Sequence, residues 1–147
     1  MREILFRGKR IDNGEWIEGQ LLHFTSSVGN HELSIIVESC EWDNANEWFN
    51  LGKRAKVDPE TVGQYTGLTD KNGKKIFEGD IISEKPPMNE IAYIGYVAYD
   101  EEAAVWRFMI NNDGKYNGVL FGTYSRSYTV IGNIHDNPEL MEGDKND

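Results

Sequence analysis

A chain of 147 residues is long enough for one domain, or for two small lobes around a shared core. Its hydrophobic content of 39% is low, but 4 Trp, 7 Tyr and 6 Phe supply a large apolar area per residue. Twenty-five Asp and Glu against 15 Lys and Arg leave a formal charge of −10, so the global electrostatic footprint of a nucleic-acid binder is missing.

In chain order, Ile4 and Phe6 alternate with charged neighbours, Asp12-Asn13-Gly14 marks a turn, and Glu15 to Leu22 returns as a second strand. Residues 25 to 31 are polar and read as a loop, followed by a β-branched strand from Leu33 to Glu38. From Glu38 to Gly52 every charge is acidic (Glu38, Glu41, Asp43, Glu47), with Trp42, Trp48 and Phe49 among them. That stretch reads as a surface loop or short edge strand with aromatic anchors. Val57 to Val62 predicts a brief helical turn, with Asp58 as cap and Pro59 in the first helical position.

The densest local instruction runs from Gln64 to Ser83. Asn72-Gly73 supplies two residues that tolerate positive φ, and Lys71-Asn72-Gly73 equally fits a three-residue connection closed by a left-handed glycine. Gly73 is therefore expected at positive φ. The return strand Lys75 to Glu78 is short, and Gly79 permits a second bend in which Asp80 folds its carboxylate onto nearby backbone N–H groups. Pro86-Pro87 then marks a turn that lies outside any sheet. Ile91 to Asp100 reads as a long apolar strand broken by Gly95, and Ala103 to Ile110 pairs back through Asp100-Glu101-Glu102. Asn112-Asp113-Gly114 and Asn117-Gly118 are two more turn signals. Val119 to Tyr124 and Tyr128 to Ile134 complete the sheet, Asn137 to Met141 makes a last helical turn, and a polar tail follows from Glu142. Short strands with sharp glycine corners describe an all-β chain built as a small barrel or sandwich. Alternation predicts Trp16, Phe77, Ile81, Ile131 and Ile134 inside, with Lys75 and Glu78 in solvent.

The candidate chemistry is thin. A single cysteine, Cys40, excludes an internal disulfide and any CxxC metal site, and such usage fits a reducing cytoplasm. His23, His31 and Cys40 fall close together, but their spacing matches no zinc signature, and surface histidines with a buried cysteine explain them. Pairing Cys40 with His23 or His135 as a nucleophile lacks an orienting third group. Asp80 with Asp100, Glu101 and Glu102 would offer oxygen ligands to a hard cation, yet adjacent acids in a turn point apart and read more simply as solvated. No phosphate-cradling glycine motif occurs. The basic clusters (Arg2, Arg7, Lys9 and Arg10; Lys53, Arg54 and Lys56; Lys71, Lys74 and Lys75) are flanked by acids and read as solvated strand faces. No catalytic, cofactor-binding or metal-binding residue is expected. The N-terminus lacks the apolar stretch of a signal peptide and no run has bilayer length, so a cytoplasmic chain with no membrane partner is expected.

Three separated segments resemble the YopX family of bacteriophage and prophage proteins. They are Arg2 to Gly8 with Asn13-Gly14-Glu15-Trp16; Val62 to Leu68 through Asp70, Asn72-Gly73, Ile76 and Glu78-Gly79-Asp80-Ile81; and Val130 to Ile134 followed by Asn137-Pro138-Glu139-Leu140. The resemblance implies an all-β fold with an SH3-like barrel in the C-terminal part, a smaller N-terminal β lobe and only short helical turns. The implied division is residues 1–57, 58–141 and an acidic tail 142–147. It brings with it no activity and no catalytic residue. The carried-over positions Gly67, Asp70, Asn72, Gly73, Glu78, Gly79, Asp80, Gly132 and Asn133 are structural, and the setting is a phage-bearing bacterial host cell.

Tyr93, Tyr96, Tyr99 and Trp106 fall on neighbouring predicted strands and are candidate interaction residues. Outward aromatics on a small barrel stack on bases or anchor a protein partner, and without a basic groove the protein is the better fit. The leading expectation is a non-enzymatic interaction protein that binds a phage or host protein and self-associates through the strand from Ile91 to Asp100. A nucleic-acid accessory barrel and an acidic nucleic-acid mimic are the alternatives.

Overall fold

The computed structural model describes residues 1–88, 90–110, 116–120 and 122–142. The chain is all-β, among the described residues its helical content is confined to short 3₁₀ turns, and it divides into two compact units, Met1–Gln64 and Tyr65–Asp147.

The first unit holds β1 (Phe6–Lys9), β2 (Trp16–Thr25), β3 (Glu32–Val37), β4 (Cys40–Asp43), β5 (Trp48–Leu51), β6 (Arg54–Lys56) and the 3₁₀ turn η1 (Pro59–Thr61). β1, β2, β3 and β6 pair in succession, all antiparallel. Val57, just past β6, then bridges Arg10 at the end of β1. Ile11 N donates to the Lys56 carbonyl at 3.1 Å and Asp58 N to the Lys9 carbonyl at 2.9 Å. The four strands thus close on themselves, which leaves little unpaired edge. Alternation along β2 puts Ile17 inside and Glu18 outside, and Ile17, Ile36 and Val57 form the core, packed by Phe6, Leu21, Ala55 and Val62. The Asp58 cap accepts from Glu60 N at 3.0 Å, as the Asp58-Pro59 signal predicts. Thr61 completes the turn by donating to the Asp58 carbonyl and accepting from Lys9 N.

β7 (Gly63–Thr69) crosses the unit boundary. Gly63 and Gln64 pair with β1, whereas Tyr65 and Thr69 pair with β8 (Lys75–Phe77). The second unit continues with β9 (Asp80–Glu84), β10 (Tyr93–Asp100), β11 (Val105–Ile110), β12 (Tyr116–Val119), η2 (Gly122–Ser127), β13 (Tyr128–Asn133) and η3 (Pro138–Met141). Strands β9 to β12 form a meander and β13 returns to pair with β9, the strand order of an SH3-like unit. Ile76, Ile82, Val97, Phe108, Ile110, Leu120 and Tyr128 fill its core. Gly95 is required there: a Cβ would stand 2.5 Å from the Met109 carbonyl oxygen and 2.6 Å from a Phe108 ring carbon.

The Asp70-to-Gly73 turn takes the three-residue form. Gly73 lies at φ +80°, as expected; its N–H donates to the Asp70 carbonyl at 3.0 Å, and Asp70 N donates to the Lys74 carbonyl at 2.8 Å.

Several expectations are corrected. The strand containing Tyr93 to Tyr99 is central, with β9 on one side and β11 on the other, so its backbone groups do not form an open edge. Its outer face is not bare either. Gly132 pairs with Ile81 and so shares its face, and a Cβ there would meet Leu140 of η3, which packs against β10. Asn117-Gly118 lies within β12 rather than in a turn, and η2 (Gly122–Ser127) begins inside the stretch from Val119 to Tyr124 that was predicted as strand. Ile131 is 38% exposed because the β9–β13 register shifts between Val130 and Gly132, a bulge that re-aims one side chain. Trp16 and Ile134 are half-buried. So are Lys75 and Glu78; Lys75 Nζ stands 5.4 Å over the Tyr65 ring, which holds its stem against the surface. Cys40 is exposed, not buried. The Asn112-Asp113-Gly114 turn and tail residues 143–147 lie outside the described residues.

Candidate functional site

The carried-over turn residues build a scaffold in the second unit. Asp70 is 5% exposed, and its carboxylate accepts three backbone N–H groups: Asn72 at 2.8 Å, Lys74 at 3.0 Å and Val130 at 3.0 Å. One side chain thus closes its own turn and ties it to β13, sixty residues away. Burial pushes its carboxyl up, but the N–H bonds from Val130, Lys74 and Asn72 and the Lys74 charge outweigh that and hold it below the usual range. Asp80 is buried and accepts from Phe77 N at 2.8 Å, the turn cap predicted for it. Gly79, at φ +83°, donates to the Val97 carbonyl and accepts from Ile134 N. Asn133 accepts from His135 N and Asp136 N, and Gly132 leaves room for Asn137. Gly67 sits in β7 at φ +86°, while Asn72 is exposed at the turn tip and Glu78 is half-buried. These contacts hold strands together.

The residues considered for metal or acid–base chemistry are kept apart. Asp100 turns onto Glu102 N, Ala103 N and the Arg107 guanidinium, the last at 2.8 Å, and those partners hold its carboxyl below the usual range. The His23 ring meets the Ser34 hydroxyl at 2.9 Å. Among the described residues no three His, Cys, Asp or Glu side chains gather as metal ligands.

The candidate interaction aromatics of the second unit do not form one platform. Tyr93 and Tyr99 share a strand face with the buried Val97, six residues apart, which is about 20 Å along a strand. They are 39% and 43% exposed. Tyr96 points to the opposite face. Trp106 pairs with Tyr99 edge-on at 4.9 Å and is half-buried.

The exposed aromatic surface lies instead in the first unit, on the β4–β5 hairpin. Trp42 and Phe49 are paired directly across the strands, Cys40 pairs with Leu51, and Asp43 with Trp48. Alternation therefore gathers Cys40, Trp42, Phe49 and Leu51 on one charge-free face and turns Glu41, Asp43 and Trp48 to the other. Trp42, Trp48 and Phe49 are 58%, 53% and 58% exposed. The surface loop or short edge strand read from the sequence is this exposed hairpin; its aromatics project outward, and periodicity does not say which way a hairpin projects. Asp43 organises the tip: its carboxylate accepts from Ala45 N at 2.8 Å and from Asn46 Nδ2 at 2.8 Å. The Asn46 contact, the Ala45 N–H and a weaker Trp48 contact hold its carboxyl below the usual range against a small desolvation. Glu47 accepts φ +52° to close the turn.

On the same unit, the residues just after β1 and strand β6 line an open pocket of about 280 Å³, formed by Arg10, Ile11, Asp12, Arg54, Ala55 and Lys56. Arg10 grips Asp12 through two hydrogen bonds of 2.9 and 2.7 Å, which raises the guanidinium and lowers the carboxyl. Arg54 donates to the Leu51 and Gly52 carbonyls at the foot of the hairpin.

Two β units, each held by structural carboxylates and turns of its own, the first carrying an exposed aromatic hairpin, define an all-β protein. The chain belongs to the YopX protein family, whose model matches residues 5–142. It is similar to the crystal structure of protein EF1440 from Enterococcus faecalis, with 26% identity, a TM-score of 0.61, and coverage of 96% of this chain and 99% of that one. No curated protein matches it.

Proposed function

We propose that this chain is a non-enzymatic protein-interaction module that docks a protein partner on the β4–β5 hairpin and also associates with itself. The observation behind this reading is the hairpin's charge-free face, on which two large aromatics are each 58% exposed. A two-stranded hairpin is marginal in water alone, and an exposed apolar face on one marks an interaction site. Trp and Tyr are the residues that dominate protein interfaces when buried at their centre. The family resemblance adds a bacteriophage or prophage setting and a bacterial cytoplasm to the proposal. Among the described residues no helix is long and apolar enough to cross a membrane.

Nucleic acid fits this surface less well. A base-stacking platform works beside a cationic track, and residues 38–52 contain four carboxylates with no Lys or Arg. A nucleic-acid mimic would bind through carboxylates and be indifferent to loss of the rings. The test is affinity capture from phage-bearing cells with the wild-type chain and a Trp42→Ala/Phe49→Ala variant of equal melting temperature. The proposal expects captured proteins to disappear with the variant. Unchanged capture by the variant would place the docking surface elsewhere.

A further inference from the structure

We infer that the partner seated by the β4–β5 hairpin is a second copy of this chain, which receives the hairpin in the Arg10–Ile11–Arg54–Ala55–Lys56 pocket. This rests on the hairpin being a docking surface and names its occupant. The argument is charge complementarity between two patches that every copy carries. The hairpin segment 38–52 bears Glu41, Asp43 and Glu47, besides Glu38, which Lys53 holds at 2.8 Å. The pocket presents three cations against one carboxylate, and Arg10 already holds that carboxylate. Ile11, 66% exposed, and Ala55 give the pocket an apolar wall for a ring. At about 280 Å³ the pocket is below the usual range for a drug-sized ligand, which is 300–1,000 Å³ or so, and suits an inserted side chain. Trp42, Trp48 and Phe49 are such side chains. Lys56 and Arg54 over an inserted Trp48 would add cation–π attraction, with Glu41 on the same hairpin face and Glu47 beside the ring meeting the cations at the rim.

A like-charged chain of −10 resists association in general. Screening limits that repulsion to about 8 Å at physiological salt, so the charges at the contact decide, and here they are opposite. Two different patches meet, so the contact closes into a pair when both copies engage reciprocally, or into a ring when they engage head to tail.

The experiment is complementation by mixing, read by light scattering. Glu41→Lys/Glu47→Lys cancels the hairpin's charge, leaving two Lys against Glu38 and Asp43, and Ile11→Glu/Lys56→Glu leaves the pocket two cations against three carboxylates. All four side chains are exposed, and thermal melts confirm that both variants fold. Wild type is expected above 16.8 kDa at micromolar concentration. Each variant alone is expected to need at least roughly tenfold more protein to associate, because its two patches are no longer opposite in charge. An equimolar mixture is expected to associate at lower concentration than either variant alone, since the pocket variant's unaltered hairpin meets the hairpin variant's unaltered pocket. Association of either variant alone at wild-type concentration, or a mixture that stays monomeric, would overturn the inference. A wild-type mass of 16.8 kDa throughout would overturn it as well, while the hairpin's role toward other proteins would still be decided by the Trp42/Phe49 capture.

Discussion

Replacing Asp70 by Asn removes one oxygen and leaves the shape of the side chain intact. Oδ1 receives both turn N–H groups, from Asn72 and Lys74, and an amide oxygen can keep them. Oδ2 receives Val130 N at 3.0 Å, and the substituted NH₂ would face that N–H donor to donor. Loss of a charge-assisted bond costs about 1.5–3 kcal/mol, and the stranded donor adds to it, so the variant should lose about 2–4 kcal/mol. The folded carboxyl is held below its ordinary 3.8, so its stabilisation is complete above that value and disappears as pH falls through the lower folded value. Urea unfolding of both proteins near pH 7 should therefore show a wide gap, narrowing toward about pH 3. A gap under about 0.5 kcal/mol near neutrality, or one of equal size in acid, would refute the assignment of Asp70 as the tie between the β7–β8 turn and β13.

Three other substitutions test the backbone. Gly73→Val should cost about 1–2 kcal/mol in a thermal melt from strain alone, because its φ is +80° and a Cβ there meets nothing within 4 Å. Gly95→Ala should cost about 1–3 kcal/mol or more, since the new Cβ would overlap the Met109 carbonyl oxygen at 2.5 Å; an unchanged melt would mean β10 and β11 pack differently. Ala104→Gly should gain about 0.5 kcal/mol, as a residue at φ +53° is relieved of left-handed strain at some cost in chain entropy.

What was legible in the residues was local. The Asp58-Pro59 cap, the Asp70-to-Gly73 turn and the Asp80 cap each depend on neighbours within a few positions, and each forms as its chemistry dictates. Pairing across long separations was not legible. Ile91 to Asp100 is apolar on both faces, which reads as an edge in search of a partner, yet β9 and β11 flank its strand and η3 lies against it. Ile131 follows the alternation of β13 and is exposed all the same, because a bulge in the pairing with β9 breaks the period. The candidate surface was half-visible: the composition of residues 38–52 isolates the aromatics and acids, but their exposure follows from a register that sets Trp42 against Phe49.

Hydroxyl-radical footprinting of the wild-type chain, compared between low and high micromolar concentration, tests the interaction surface most directly. The hairpin account predicts that Trp42, Trp48 and Phe49 lose reactivity as concentration rises, while Tyr93 and Tyr99 keep theirs. Reactivity at the three hairpin rings that stays constant, or protection that appears at Tyr93 and Tyr99 instead, would contradict it.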